Sequence, residues 1–285
     1  MTVKKTWDSA SATDANRMLK AAQRRMWALG DYHAFATSTV WELGTALVDA
    51  CAISRGQRLL DVAAGTGNVA IRAAMTGAAV VASDLTPENF ASGRLAAAAA
   101  GVEVEWAEAD AEALPWGDQE FDVVASCFGA IFAPDQQQVA NELLRVCRTG
   151  GTIGMINFTP EGRGGDFFRL LAPYAPPPPP GAVPPLMWGD EDHVRKLFGS
   201  RVASLEMRRR EYEERAASPG AYLDLFKRTF GPMVAIYASL ADQPERTAAL
   251  DRDFLEFVRG ANQSTREGSV QIPYEYLLIV ARKGR

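Results

Sequence analysis

The sequence predicts an α/β protein built on a doubly wound, seven-stranded, mostly parallel sheet with helical insertions. Three observations predict it. Between residues 58 and 158 short apolar runs alternate with helix-period segments, as a parallel sheet with crossover helices requires. The first apolar run ends in a glycine-bearing turn, Ala63-Ala64-Gly65-Thr66-Gly67, that opens a helix. A further strand segment, 202–212, and an apolar run, 274–280, follow a stretch of different texture and bring the strands to seven.

Taken in order, residues 13–51 read as two helices. Met18, Ala21, Ala22 and Met26 keep helical spacing, Gly30-Asp31 breaks it, and Val40, Leu43, Leu47 and Val48 resume it. Strands are expected at 58–62, 79–83, 102–106, 121–126 and 152–158, with helices at 68–75 and 135–147 and a short helical stretch at 110–114. Thr86-Pro87 starts another helix, with Thr86 as N-cap and Pro87 at the first helical position. Gly150-Gly151 makes the turn before the fifth strand. Eight of the sixteen prolines fall between 173 and 185, a stiff polyproline-like surface strap. Asp190-Glu191-Asp192 places acids in the first turn of a helix carrying Val194, Leu197 and Phe198 inward. Two amphipathic helices, 219–240 and 244–260, open on Pro219 and Pro244. The expected division is a helical cap (1–55), an α/β core (56–160), a proline-rich lid insertion (161–201), and the last strands with inserted helices (202–285).

Composition narrows the function. With 285 residues and 47% hydrophobic content the chain can bury a large core. A net charge of −5 argues against a nucleic-acid partner, because phosphate binding wants a basic face. Arg208-Arg209-Arg210 is followed by Glu211, Glu213 and Glu214 and reads as a solvated strand edge. Cys51, Cys127 and Cys147 have neither disulfide nor metal spacing, so no metal is expected, and each sits among apolar residues as a small buried hydrophobe. Met1 to Asp8 lacks a signal-peptide core and no run is long and apolar enough to span a bilayer, so a cytoplasmic protein is expected.

The chemistry is concentrated at three strand ends. In Leu59-Leu60-Asp61-Val62-Ala63-Ala64-Gly65-Thr66-Gly67-Asn68, Gly65 and Gly67 lack Cβ atoms where backbone must turn and approach a ligand, and the following helix offers free N–H groups. The same run satisfies the loose dinucleotide pattern G-x-G-x-x-G/A. Asp61 at the strand end would attract a cationic aminoacyl group and repel a pyrophosphate, or it caps the turn. Asp84, ending the second strand, can accept hydrogen bonds from both hydroxyls of a ribose, or cap the next helix. Asp110-Ala111, after the third strand, can meet the amine and a ring nitrogen of adenine; a dinucleotide site needs nothing there.

From about 56 to 158 the chain resembles the class I S-adenosylmethionine (SAM)-dependent methyltransferases, nearest their quinone-biosynthesis-like branch of bacterial small-molecule enzymes. Asp61, Ala63, Gly65 and Gly67 match the first motif, with Ala63 where the fuller motif has glycine. Asp84-Leu85 matches the ribose acid, Asp110-Ala111 the adenine contact, Phe121-Asp122 the fourth-strand motif, and Gly150-Gly151 the turn before the fifth strand. The run from Met26 to Tyr32 is similar to a group of actinobacterial sequences.

The resemblance implies a Rossmann-like methyltransferase fold, SAM as cofactor, and Ser126, Cys127 and Phe128 on the cofactor's methionine side. Trp27, Tyr32, Phe128 and Phe132 are candidates for an aromatic wall about the sulfonium. The expected reaction carries the methyl group to an oxygen or carbon of a small, apolar or aromatic acceptor. If a base is used, His33 is the first candidate, with His193, Tyr174 and Tyr237 behind it; packing is the competing explanation for each. Tyr222, Phe226, Phe230, Tyr237, Phe254 and Phe257 permit an apolar acceptor pocket, although aromatics at helical spacing also describe plain core. A SAM-binding protein that does not methylate and an NAD-dependent oxidoreductase are the alternatives.

Overall fold

The structure, a computed structural model, describes residues 9–178 and 182–285. Seven strands, β1 (Arg58–Val62), β2 (Ala79–Asp84), β3 (Glu105–Glu108), β4 (Phe121–Cys127), β5 (Cys147–Phe158), β6 (Val202–Ala216) and β7 (Val270–Lys283), form one sheet. Its order is β3-β2-β1-β4-β5-β7-β6. The first five strands are parallel, and β7 runs antiparallel to both β5 and β6. From β1 the chain builds to one side with β2 and β3, then crosses to build β4 and β5 on the other. That reversal opens a crevice at the carboxyl ends of β1 and β4.

Eleven α-helices are found among the described residues. They are α1 (Ser9–Trp27), α2 (Tyr32–Ser38), α3 (Leu43–Ala50), α4 (Asn68–Met75), α5 (Phe90–Ala99), α6 (Gln136–Val146), α7 (Arg163–Leu171), α8 (Glu191–Phe198), α9 (Pro219–Thr229), α10 (Gly231–Ser239) and α11 (Pro244–Ala261). Their starts follow local chemistry. Asp135, Asp190 and Ser218 each accept a first-turn N–H, from Gln138 (2.9 Å), His193 (2.7 Å) and Ala221 (3.1 Å). On one face of the sheet Leu60, Val124, Ile153 and Met155 pack under α6 and α8; on the other Leu59, Val123 and Ile156 pack under α3 and α4. A third apolar cluster holds α7, α9, α10 and α11 on the far end of β7, around Phe167, Tyr222, Phe226, Phe254 and Ile272.

Several expectations are corrected. The N-terminal region has three helices, because Asp31 caps α2 through the Ala34 N–H (3.0 Å) and a turn at 39–42 separates α2 from α3. The expected helix 219–240 breaks at Phe230-Gly231, where Pro232 lacks the N–H that continuity needs. The stretch 110–114 is a turn in which Asp110 bridges to Ala113, not a helix. Thr86 makes no side-chain cap; its N–H donates to Asp84, and a 3-10 turn, Pro87–Asn89, precedes α5. β3 starts three residues later than expected, at Glu105. Gly150-Gly151 lies inside β5 rather than before it. Phe121 pairs with Cys147 and Val123 with Thr152, so residues 148–151 bulge, with Gly150 at φ +72°. The expected N-terminal leader reading and two of the strap prolines, Pro179 and Pro180, fall outside the described residues. Among the described residues no helix is long and apolar enough to cross a membrane.

Candidate active site

The crevice is a cleft with about 1240 Å³ of empty space counted out to its solvent mouth. At its polar end, β1 stops at Val62 and the chain turns through Ala63, Gly65 and Gly67. Gly65 has φ +56° and Gly67 φ +85°, and Ala63 itself sits at φ +55°. A glycine is usual at such a position because a Cβ there costs about 1–2 kcal/mol. Phe128, just after β4, is also left-handed (φ +60°), and a Cβ on Gly129 would clash with the Ala63 carbonyl oxygen. Two strained strand ends therefore meet across the crevice. A Cβ on Gly65 would come within 2.6 Å of the Tyr32 ring, so the loop and α2 already touch closely.

Asp84 organises this end. One carboxylate oxygen accepts the Gly65 N–H and the other the Thr86 N–H, each at 2.8 Å. Each oxygen retains a second lone pair. Burial raises the Asp84 carboxyl above its ordinary range, against the N–H donors of Gly65 and Thr86 that hold it down. Asp61 is more extreme. Only 1% exposed, it accepts the Ala70 N–H at 3.0 Å on Oδ2, and its Oδ1 has no partner among the described residues. Burial pushes its carboxyl up to about 8; Ala70 opposes this and the Asp84 charge adds to it.

Helix α1 closes the polar end from above. Lys20 pairs with Asp110 and Glu112, each at 2.5 Å; Gln23 donates to the Phe132 carbonyl at 2.8 Å; Arg24 bridges Glu88 and Glu108. Asp110 also accepts the Glu112 N–H at 2.9 Å. The opposite end is aromatic. Phe128 stacks on Phe158 with ring centroids 4.0 Å apart, and Phe35, Phe167, Phe226 and Phe230 continue the wall. Buried among these rings, Glu214 accepts hydrogen bonds from Tyr212 (2.8 Å) and Tyr222 (2.5 Å), and Tyr222 meets Tyr274 at 2.9 Å.

Of the residues singled out in the sequence, Trp27, Tyr32, Ala63, Gly65, Asp84, Leu85, Asp110, Ala111 and Phe128 line this one cleft. Asp61, Gly67, Ser126 and Cys127 are not among its lining residues. Ser126 is buried, accepting the Ala130 N–H at 3.1 Å, and Cys127 is buried too. None of the four candidate bases is among the residues that line the cleft. His33 stands edge-on to Trp41 at 5.4 Å, His193 bonds Gln136, Tyr174 donates to Asp253 and Tyr237 to Asp251. Of the late aromatics Phe226 and Phe230 reach the cleft, while Tyr222, Tyr237, Phe254 and Phe257 pack behind it. Lys20 and Glu214 were missed. Glu214 could have been found from alternation, because Tyr212, Glu214 and Ala216 share the inward face at the end of β6, unlike exposed Glu211 and Glu213.

Residues 59–151 match a methyltransferase domain model. An uncharacterized protein of Mycobacterium tuberculosis is 47% identical over 261 residues, covering 91% of this chain and 93% of that one. A demethylmenaquinone methyltransferase of Thermus thermophilus is 40% identical over 110 residues, 38% of this chain and 50% of the relative. In structure, a Haemonchus contortus phosphoethanolamine N-methyltransferase, solved with S-adenosylhomocysteine, superposes with TM-score 0.52 at 16% identity over 86% of this chain and 53% of that one. Residues 59–151 thus carry a methyltransferase domain, on the fold of the class I SAM-dependent methyltransferases. The chain shares nearly its whole length, and so its family, with the mycobacterial protein.

The methyltransferase domain makes the chain an enzyme of methyl transfer, with SAM as its cofactor. The residues present fit that cofactor. The buried Asp61 carries an acceptor oxygen without a partner among the described residues, and Asp84 and Asp110 line the cleft at the ends of successive strands. A pyrophosphate would find no such welcome.

Proposed function

We propose that the cleft binds SAM at its polar end and presents the methyl group to a small, apolar or aromatic acceptor held at the aromatic end. One observation carries this reading: a single cleft runs unbroken from Asp84 and Asp110 to the Phe158 and Phe167 rings. In it, Asp84 takes the ribose hydroxyls on its remaining lone pairs, Asp110 and Ala111 receive the adenine, and Asp61 supports the amino end from behind the glycine turn. Trp27, Tyr32, Phe128 and Phe132 face the sulfonium. The match to a relative named for demethylmenaquinone supports an aromatic acceptor.

Bound SAM supplies an electrophilic methyl group on a positively charged sulfur. The protein's own contribution is alignment and exclusion of water, worth about 7–11 kcal/mol where the reacting atoms are held in line. The aromatic wall removes water and offers cation–π attraction of about 0.5–2 kcal/mol per ring. Calorimetry with S-adenosylhomocysteine and methyl-labelled SAM mixed with a bacterial extract test the two halves. The expected result is tight binding and label in an organic-soluble product. Asp84→Ala should weaken binding about 10–100-fold, the loss of charged hydrogen bonds. Unchanged affinity would remove Asp84 from the ribose; cofactor retained without label transfer would favour a binding protein that does not methylate.

A further inference from the structure

We propose that Glu214 is the general base of the reaction, taking the proton of a phenolic or enolic hydroxyl on the acceptor. The inference rests on the cleft being the methyl-transfer site. Its starting point is an anomaly: a carboxyl group 3% exposed, on the wall of an aromatic chamber, held by hydroxyl groups and rings instead of a cation.

The hydrogen bonds around it have a direction. Tyr212 and Tyr222 donate to separate carboxyl oxygens. Because Tyr222 spends its proton on Glu214, its oxygen must accept from Tyr274. Two phenols, on β6 and α9, thus give their protons to the carboxylate, and a third, on β7, backs one of them. Such a network supports a negative charge without quenching it. Tyr212 also lies 6.4 Å from Phe128, ring to ring, and 5.6 Å from Tyr274, which ties the carboxyl group to the end of β4. Each carboxylate oxygen keeps a lone pair for one more donor, and the rings around it supply none. A neutral acceptor carrying a hydroxyl fills that vacancy, and it loses less on leaving water than an ammonium would.

The step balances without a co-reactant. The acceptor oxygen bonds the methyl carbon, the carbon–sulfur bond breaks with its electron pair left on sulfur, and the acceptor's proton passes to Glu214. A sulfonium and a carboxylate become a neutral thioether and a neutral acid. Two buried charges vanish together, so surroundings that penalise charge favour the product.

Titration fits the role. Burial pushes the Glu214 carboxyl up to about 7, opposed by the Tyr222 and Tyr212 hydroxyls. The groups facing it stay fixed near neutrality: Tyr212, Tyr222 and Tyr274 are raised well above the ordinary phenol range by burial, and Cys127 on β4 is pushed to about 12. On α7, Arg163 and Asp166 act on Tyr274 and pair with each other at 2.9 Å. A base of this kind works near the operating pH.

The test uses the full chain saturated with S-adenosylhomocysteine, with 4-methylphenol as probe and its methyl ether, 4-methylanisole, as control. The wild type should bind the phenol about tenfold or more tighter than the ether, with the preference growing as pH rises to about 7. Glu214→Gln should erase the preference while leaving S-adenosylhomocysteine affinity intact. With labelled SAM and 4-methylphenol, the same variant should lower kcat about 10²–10⁴-fold and abolish its rise with pH. Tyr222→Phe keeps the carboxyl but removes a donor, so the midpoint of the pH profile should move upward. The binding preference decides the matter where 4-methylphenol is a poor acceptor. Equal affinity of wild type for phenol and ether overturns the proposal, as does a Gln variant with an unchanged pH profile. Failure of the wild type to bind S-adenosylhomocysteine strikes the reading of the cleft itself.

Discussion

At the polar end of the cleft, backbone does the holding. The N–H groups of Gly65 and Thr86 are drawn to one carboxylate, and four left-handed residues, Ala63, Gly65, Gly67 and Phe128, bend strand ends toward each other. At the aromatic end the wall consists of side chains from segments far apart in the chain: Phe35, Phe128, Phe158, Phe167, Glu214, Phe226 and Tyr274. The first arrangement is dictated by a few adjacent positions. The second exists only after α7, α9, β6 and β7 have packed. Rigidity and chemistry are thereby divided, with a shape set by local turns facing a chamber set by tertiary assembly.

Substitutions can break or sharpen that contrast. Phe226→Ala should have the largest effect on stability, about 3–5 kcal/mol in denaturant unfolding, because it removes a ring packed against Phe35, Phe167, Phe230 and Phe254. If the two ends are built independently, its affinity for S-adenosylhomocysteine should hardly move. Gly65→Val does the reverse. With φ +56° and a Tyr32 ring atom 2.6 Å from the new Cβ, binding should fall on the order of a hundredfold while the aromatic cap stays folded by circular dichroism.

A smaller effect belongs to pH. Asp61 has its folded pKa raised, to about 8, so its contribution favours folding most below its unfolded pKa and is lost as pH rises toward 8. Asp61→Asn should therefore gain melting temperature relative to wild type at pH 8 and lose that advantage at pH 4. A parallel pH response in both proteins would show that Asp61 is not strained in the folded state. Smallest of all, His33→Ala should leave turnover within about twofold, since a side chain outside the cleft offers no acid–base help. A large loss would reopen its candidacy.

The same contrast explains what could be read from the chain alone. The strand-and-turn module from Arg58 to Phe158 was legible because each piece announces itself within a few residues: apolar run, glycine, acid at the strand end. Asp84, Asp110 and Gly65 come together in the structure as their positions imply. Helix breaks were less legible. The interruption at Gly231-Pro232 was visible in principle but was outweighed by the continuous apolar spacing around it. Glu214 was hidden by company. Flanked by Arg208 to Arg210 and Glu211 and Glu213, it looks like part of a charged surface, and only pairing with β7 shows that its neighbours point out while it points in. Lys20 was hidden for another reason, since its partners Asp110 and Glu112 lie about ninety positions away.

That charged run has its own consequence. β6 is fifteen residues long and forms the outer margin of the sheet, so its outward backbone groups are an open template for another strand. Its side chains answer with Arg208 against Glu206, Arg215 against Glu213, and Arg209 reaching Glu275 and Glu161. A foreign strand laid alongside would have to break or desolvate this mesh of opposite charges. The arginines that look like a binding patch therefore act as a fence, and the sheet stops growing at seven.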